Sequence, residues 1–122
     1  MSDELQGLPP QVQERLLRLQ QLQQTLNSVL GQKQQVEIEI SEIDQATSEL
    51  QKLGDDAVIY KATGSLMIKA EKTRIATELA ERKDLLTTRT TILTKQEERL
   101  RSQIKEVQMK LQQDLNPVTP QA

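Results

Sequence analysis

The stretch "AVIYKATGSLMIKA", residues 57–70, decides the fold of this 122-residue chain. Its two halves, "AVIYK" and "LMIKA", consist largely of residues that favour β-strands. The "ATGS" between them supplies Gly64, which can adopt the positive φ of a tight turn. The sequence on both sides has apolar residues at helical spacing among many Gln, Glu and Lys residues. We therefore predict one β-hairpin, at 54–70, between two long helices.

The first predicted helix covers residues 9–53. Pro9 and Pro10 suit the first turn of a helix, and no further Pro occurs until Pro117. Apolar residues recur at alternating spacings of three and four, which is the narrow seam of a coiled coil. The seam consists of Leu22, Leu26, Val29, Val36, Ile40, Ile43 and Leu50. Lys33 lies on the same seam, where it either sets the register or extends its amine to solvent. We expect Gly54 to cap the end of the helix.

The second predicted helix covers residues 71–114, and its seam has a spacing of seven. That seam consists of Leu79, Leu86, Leu93 and Leu100, followed by Val107. Three ion pairs are expected four residues apart, namely Glu78–Arg82, Glu97–Arg101 and Glu106–Lys110. If the hairpin reverses the chain, the two seams face each other, with Leu22 opposite Leu100. The register of this antiparallel coiled coil stays open by about one helical turn.

Composition excludes several classes of protein. Hydrophobic residues make up 35% of the chain and aromatics 1%, which argues against a compact monomeric core. The 16 basic and 18 acidic residues are interspersed, so no nucleic-acid-binding face is expected. Without Cys, His or a phosphate-binding glycine loop, we expect no cofactor and no enzymatic activity. The start of the chain does not resemble a signal peptide and no long apolar run is present, which predicts a cytoplasmic protein without a membrane partner.

A hairpin of two strands is marginal in water, and its edges leave backbone groups unpaired. We therefore predict that hairpins from several chains pair edge to edge in an oligomeric β-barrel, which removes those edges. The alternative is a connector that packs against its own helices. The predicted oligomerisation residues are Val58, Ile59, Tyr60, Gly64, Leu66, Met67 and Ile68.

The order helix, "AVIYKATGSLMIK", helix resembles the prefoldin family over essentially the whole chain. The spacing of Tyr60, Lys61 and Gly64, and the returning segment "EERLRSQIKEVQMKLQ", carry the resemblance. Because only one hairpin fits between the helices, the chain is similar to the beta-type subunits of archaea. The resemblance implies a hexamer of two alpha and four beta subunits, with coiled coils projecting from a β-barrel body. It also implies a chaperone that holds non-native client proteins without ATP and passes them to a group II chaperonin.

The resemblance further implies that clients bind at the ends of the coiled coil, near the chain termini. The candidate residues are Leu8, Val12, Leu16, Leu17, Leu19, Val107, Met109, Leu111 and Leu115. Several of these are equally suited to closing the last turns of the coil. Residues 1–8 are predicted to be flexible and residues 115–122 to form a disordered tail. Asp55 and Asp56 are interpreted as a solvated turn rather than as paired catalytic carboxylates. The alternative function is a structural coiled-coil adaptor or scaffold that holds no clients.

Overall fold

A computed structural model of the protein describes residues 7–116. The chain forms a helix, two strands and a second helix, in that order. The elements are α1 (Pro10–Gln51), β1 (Ile59–Thr63), β2 (Leu66–Ala70) and α2 (Lys72–Leu115). The fold class is therefore mainly α with a central β-hairpin, as predicted. Most of the predicted flexible N-terminus and disordered tail falls in residues 1–6 and 117–122, which lie outside the described residues.

The helix ends differ from the predicted bounds by one or two residues. Leu115, assigned above to the tail, is the last residue of α2, because the Asn116 amide still donates to the Gln112 carbonyl at 3.0 Å. At the other end of the hairpin, α1 finishes in a tightened turn, where the Leu53 amide donates to the Leu50 carbonyl at 3.1 Å. Gly54 does not have the positive φ of a glycine cap, so that expectation was wrong.

The strands β1 and β2 form an antiparallel two-stranded sheet. Ile59 lies opposite Ala70 and Thr63 opposite Leu66, which leaves Gly64 and Ser65 as a two-residue turn. Gly64 has a φ of 61°. A two-residue hairpin turn needs a positive φ at its first central position, and glycine adopts it without a steric penalty. The predicted turn is confirmed at this position.

The described residues divide into two compact units. We call residues up to Gln32 together with those from Leu93 onward the terminal unit, and Lys33–Ile92 the hairpin unit. In the terminal unit, α1 and α2 are antiparallel and enclose an apolar cluster centred on Leu22, Leu26 and Ile104. The partly buried side chains packed against it are Leu19, Leu30, Leu100 and Val107. This cluster is the core of the terminal unit.

In the hairpin unit, polar contacts join the two helices beside the seam. Arg82 donates to Glu39 at 3.3 Å, and Lys83 forms an ion pair with Asp44 at 2.7 Å. Nearer the hairpin, the Lys72 ammonium donates to the Leu53 carbonyl at 2.7 Å. A cation from the first turn of α2 thus satisfies a carbonyl that the end of α1 leaves without a helical partner.

One of the three predicted ion pairs is corrected by these contacts. Glu78 does not pair with Arg82, because Lys61 of the hairpin is its nearest cation, at 2.8 Å. The other two predicted pairs within α2 are present, with Glu97–Arg101 at 2.9 Å and Glu106–Lys110 at 3.4 Å.

The register in the terminal unit is shifted within the range of about one helical turn that the sequence left open. The fold-back predicted above would place Val107 opposite Arg15, whereas Arg15 contacts Lys110 and Asp114. The observed partners lie about one helical turn further along α2. A shift of four residues keeps apolar residues in the seam, because both seams repeat at spacings of three and four.

Candidate functional site

The hairpin exposes apolar side chains on both of its faces. The pairing of Lys61 with Ile68 and of Ala62 with Met67 assigns alternate residues to opposite faces. One face carries Ile59, Lys61, Thr63, Leu66, Ile68 and Ala70, and the other carries Tyr60, Ala62, Met67 and Lys69. Leu66, Met67, Ile68, Tyr60 and the neighbouring Val58 are all strongly exposed. We call these five residues, with the partly buried Ile59, the hairpin surface.

The face that carries Lys61 lies towards the first turns of α2. Lys61, Ile68 and Ala70 line a concavity of about 580 Å³ together with Ile75 and Glu78 of the helix. The Lys61 ammonium donates to the Glu78 carboxylate at 2.8 Å across this space. That hydrogen bond lowers the pKa of Glu78 below its ordinary value of 4.5. The ion pair therefore links the hairpin to α2.

The strands of the hairpin pair only with each other among the described residues. Their outer edges therefore present backbone N–H and C=O groups without a strand partner. Glycine at 64 makes the tight turn possible but adds no contact surface. The hairpin surface and the two edges together form a region that can pair with a further β-strand.

The predicted client-binding residues fall into three groups in the terminal unit. Leu17, Met109 and Leu115 are exposed. Val12 and Leu111 are buried, with 3% and 7% of their surface accessible. The remaining four are partly buried, namely Leu8, Leu16, Leu19 and Val107. We call these nine positions the tip; in the described conformation only the first group is freely available to a partner.

A groove of about 690 Å³ runs along one side of the tip. Leu17, Leu22 and Val107 contribute apolar side chains to it, and Arg18 and Lys110 contribute cations. The groove therefore combines apolar and charged side chains from both helices.

A polar cluster lies beside this groove and joins the two helices. Arg15 forms an ion pair with Asp114 and also donates to the Lys110 carbonyl at 3.4 Å. The Gln11 side-chain amide donates to the other oxygen of the Asp114 carboxylate at 3.3 Å. We call Gln11, Arg15 and Asp114 the tip clasp.

Most of the predicted seam residues are inaccessible to solvent. The buried members are Leu22, Leu26, Val29, Val36, Ile43, Leu50 and Leu93. Those that are only partly buried are Ile40, Leu79, Leu86 and Leu100. Ile104, which lies four residues after Leu100, is buried in the core of the terminal unit. Lys33 is partly buried.

Acidic side chains are the candidates for acid–base or metal chemistry in a chain without His or Cys. Asp55 and Asp56 are exposed in a turn closed by a hydrogen bond from the Ala57 amide to the Gly54 carbonyl at 3.1 Å. Between residues 7 and 116 no group of His, Cys, Asp or Glu is arranged to hold a metal ion. Neither α1 nor α2 has an apolar stretch that could cross a membrane.

Sequence reasoning missed the tip clasp and the Lys61–Glu78 ion pair. Arg15 and Asp114 are 99 residues apart, so no short-range spacing links them. Lys61 and Glu78 are 17 residues apart and lie in different kinds of element. The only available signal was the predicted fold-back, which was one helical turn short at the tip.

Comparison with known proteins places this geometry in a family. A family model described as Prefoldin subunit matches residues 13–117. The prefoldin subunit beta of Methanothrix thermoacetophila is 45% identical over 113 residues, which cover 93% of this chain and 94% of the relative. The prefoldin subunit beta of Archaeoglobus fulgidus is 44% identical over 110 residues, which cover 90% and 95% of the two chains.

A solved structure agrees with these relatives. The crystal structure of the prefoldin beta subunit from Thermococcus strain KS-1 superposes with a TM-score of 0.82 at 38% identity. The superposition covers 93% of this chain and 96% of that one. The beta2 subunit of the same strain has the same fold, with a TM-score of 0.68 at 19% identity. With two helices, one hairpin and beta-subunit relatives along nearly its whole length, the chain belongs to the prefoldin family.

Proposed function

We propose that the chain is a subunit of an ATP-independent chaperone that binds non-native proteins at the tip and transfers them to a group II chaperonin in the cytoplasm. In this proposal the subunit assembles through the hairpin surface with prefoldin alpha subunits, in a hexamer of two alpha and four beta chains. The observation that carries the proposal is that the chain exposes two groups of apolar side chains, besides Ile38, Leu53, Leu85 and Ile92 elsewhere in the hairpin unit. One is the hairpin surface, and the other is formed by Leu17, Met109 and Leu115 at the tip.

The hairpin surface supports the assembly step. Met67 is 67% exposed, although it is a residue that proteins usually bury. Fully burying a large apolar side chain stabilises by about 1.5–3 kcal/mol, so several such residues provide a substantial driving force for association. Pairing of the free strand edges with those of neighbouring subunits would also satisfy the backbone groups that they expose.

The tip supports the client-binding step. Leu17 and Met109 project from the coiled coil rather than into its seam, and they lie near the helix ends, where fraying costs little. An unbranched Met side chain adapts to partners of different shape. Groups of this kind bind apolar segments that folded proteins conceal and non-native proteins expose.

The proposal is tested by native mass spectrometry of the chain with and without a prefoldin alpha subunit, followed by an aggregation assay on a chemically unfolded model protein without nucleotide. We expect a hexamer only in the mixture, and suppression of aggregation by that hexamer. Met109→Gln should retain assembly and weaken suppression. Leu85→Gln is the matched control, because Leu85 is 73% exposed and belongs to the hairpin unit rather than to the tip.

Three results would contradict the proposal. A chain that stays monomeric with every alpha subunit tested would remove the assembly step. Equal loss of suppression in Met109→Gln and Leu85→Gln would mean that exposed apolar surface in general, rather than the tip, holds clients. Binding of one defined helix in place of many unfolded proteins would indicate the coiled-coil adaptor.

A further inference from the structure

The tip clasp joins the first two turns of α1 to the last turn of α2. Asp114 lies in the last turn of α2, and its carboxylate accepts hydrogen bonds from Arg15 and Gln11 of α1. The side chains of Arg15 and Asp114 are 27% and 17% exposed, so water screens this ion pair less than a fully exposed one. Other ion pairs of the terminal unit, Glu97–Arg101 and Glu106–Lys110, lie within α2 and do not connect the helices.

The position of Asp114 is unfavourable for α2 taken alone. The C-terminus of a helix carries a partial negative charge, so an acidic side chain in the last turn is repelled, and that turn contains no basic residue. The cation supplied by Arg15 of α1 compensates for this repulsion. When the clasp opens, the last turn of α2 therefore loses its compensating charge and becomes more likely to fray.

The clasp lies beside the two buried members of the tip. Arg15 follows Val12 by three residues and Asp114 follows Leu111 by three, so on each helix the charged and the buried residue are on the same side. Val12 and Leu111 are 3% and 7% exposed, although both lie within two turns of a helix end. Fraying of these turns exposes both apolar side chains.

We propose that the tip clasp is a latch that regulates client binding, an inference that depends on the function proposed above. With the clasp closed, only the exposed members of the tip contact a client. With it open, Val12 and Leu111 join them and the apolar contact area increases. The apparent affinity then rises with the population of the open state, because a client binds that state more tightly than the closed one.

Hydrogen exchange measured by mass spectrometry on the hexamer with its alpha subunit tests the latch without any client. Asp114→Asn removes the charge but keeps the size of the side chain. A partly exposed ion pair alters an equilibrium by about two- to fivefold, and we expect amides of residues 10–19 and 107–115 to exchange faster by that factor. Asp44→Asn is the matched control, because it makes the same change in an ion pair between the helices of the hairpin unit. The double variant Arg15→Asp with Asp114→Arg re-forms the pair and should return exchange towards the wild-type rate.

Client affinity is then measured with a permanently unfolded probe, reduced and carboxymethylated α-lactalbumin. We expect Asp114→Asn to bind this probe about two- to fivefold more tightly than Asp44→Asn, in parallel with its faster exchange. Raising the salt concentration should bring the wild type closer to Asp114→Asn, because salt screens the ion pair.

Unchanged exchange at the tip in Asp114→Asn overturns the latch, and so does faster exchange with unchanged affinity. If the wild-type hexamer binds no probe at all, the proposed function itself fails. The exchange rates would still decide in that case whether the clasp closes the tip, so the two failures are distinguishable.

Discussion

Replacing Leu22 by Ala separates the structural role of the coiled-coil core from the binding role of the tip. Leu22 is 4% exposed and packs in the core of the terminal unit with Leu26 and Ile104. Truncating a buried Leu to Ala costs about 2–5 kcal/mol, from lost transfer free energy and from the cavity that remains. Because the surrounding Leu100 and Val107 are only partly buried and can relax, we expect about 2–3 kcal/mol for Leu22→Ala.

Leu17→Ala is the matched control on the same helix, five residues earlier. Leu17 is 50% exposed, so about half of the transfer free energy is at stake, and the better helix propensity of Ala offsets part of it. We expect its free energy of unfolding to change by less than about 1 kcal/mol. If a client buries the exposed half of Leu17, its loss weakens client binding by about 1 kcal/mol, or about fivefold.

The measurement is urea denaturation followed by circular dichroism on the hexamer at one fixed protein concentration, since assembly makes apparent stability depend on concentration. Client affinity is measured in parallel on the same preparations. The reasoning predicts opposite profiles, with stability lost in Leu22→Ala and affinity lost in Leu17→Ala. Equal destabilisation by the two substitutions would refute the assignment of Leu22 to the core and of Leu17 to the surface.

Three further outcomes follow from the hairpin and from α1. Gly64→Ala places a side chain at a φ of 61° and should destabilise the hairpin by about 1–2 kcal/mol in thermal or urea denaturation. Gly31→Ala, whose new Cβ has no atom within 4 Å, should instead stabilise α1 by up to about 1 kcal/mol. Because Lys61 lowers the pKa of Glu78, their ion pair stabilises the fold above the ordinary pKa of 4.5, and this stabilisation is lost as the pH falls through the lowered value. Glu78→Gln should remove that part of the acid dependence of stability in a pH titration. An unchanged titration would argue against the ion pair. Met67→Gln should leave the helical circular dichroism unchanged but weaken association with the alpha subunit by about 1–2 kcal/mol in native mass spectrometry. Undiminished association would place Met67 outside the interface.

Local sequence patterns accounted for the secondary structure. The period of the apolar residues changes from helical spacing to strand-like runs at "AVIYK", and a glycine stands where the turn requires a positive φ. These signals depend on neighbours within a few residues, so they can be interpreted without a three-dimensional structure. The helix ends were less accurate by one or two residues, because the tightened turn after Gln51 and the hydrogen bond of Asn116 do not follow from residue type alone.

The same patterns did not reveal which residues meet across the helices. Glu78 has a suitably spaced partner in Arg82, but the folded chain brings Lys61 within 2.8 Å of it. Ile104 lies four residues after Leu100 at a companion position of the seam, and only the folded chain shows that it shares the core cluster with Leu22 and Leu26. A shift of one turn costs an apolar seam little, whereas it changes every polar partner beside that seam.

The sequence by itself determined two helices, their coiled-coil seams and a hairpin with a glycine turn, because each depends on contacts between residues close together in the chain. Only the tertiary structure decided the register at the tip, the burial of Val12 and Leu111, and the partners of Arg15, Lys61 and Asp114. Those features arise from side chains brought together by the reversal of the chain, and their free energies depend on distances and burial that no spacing along the sequence specifies.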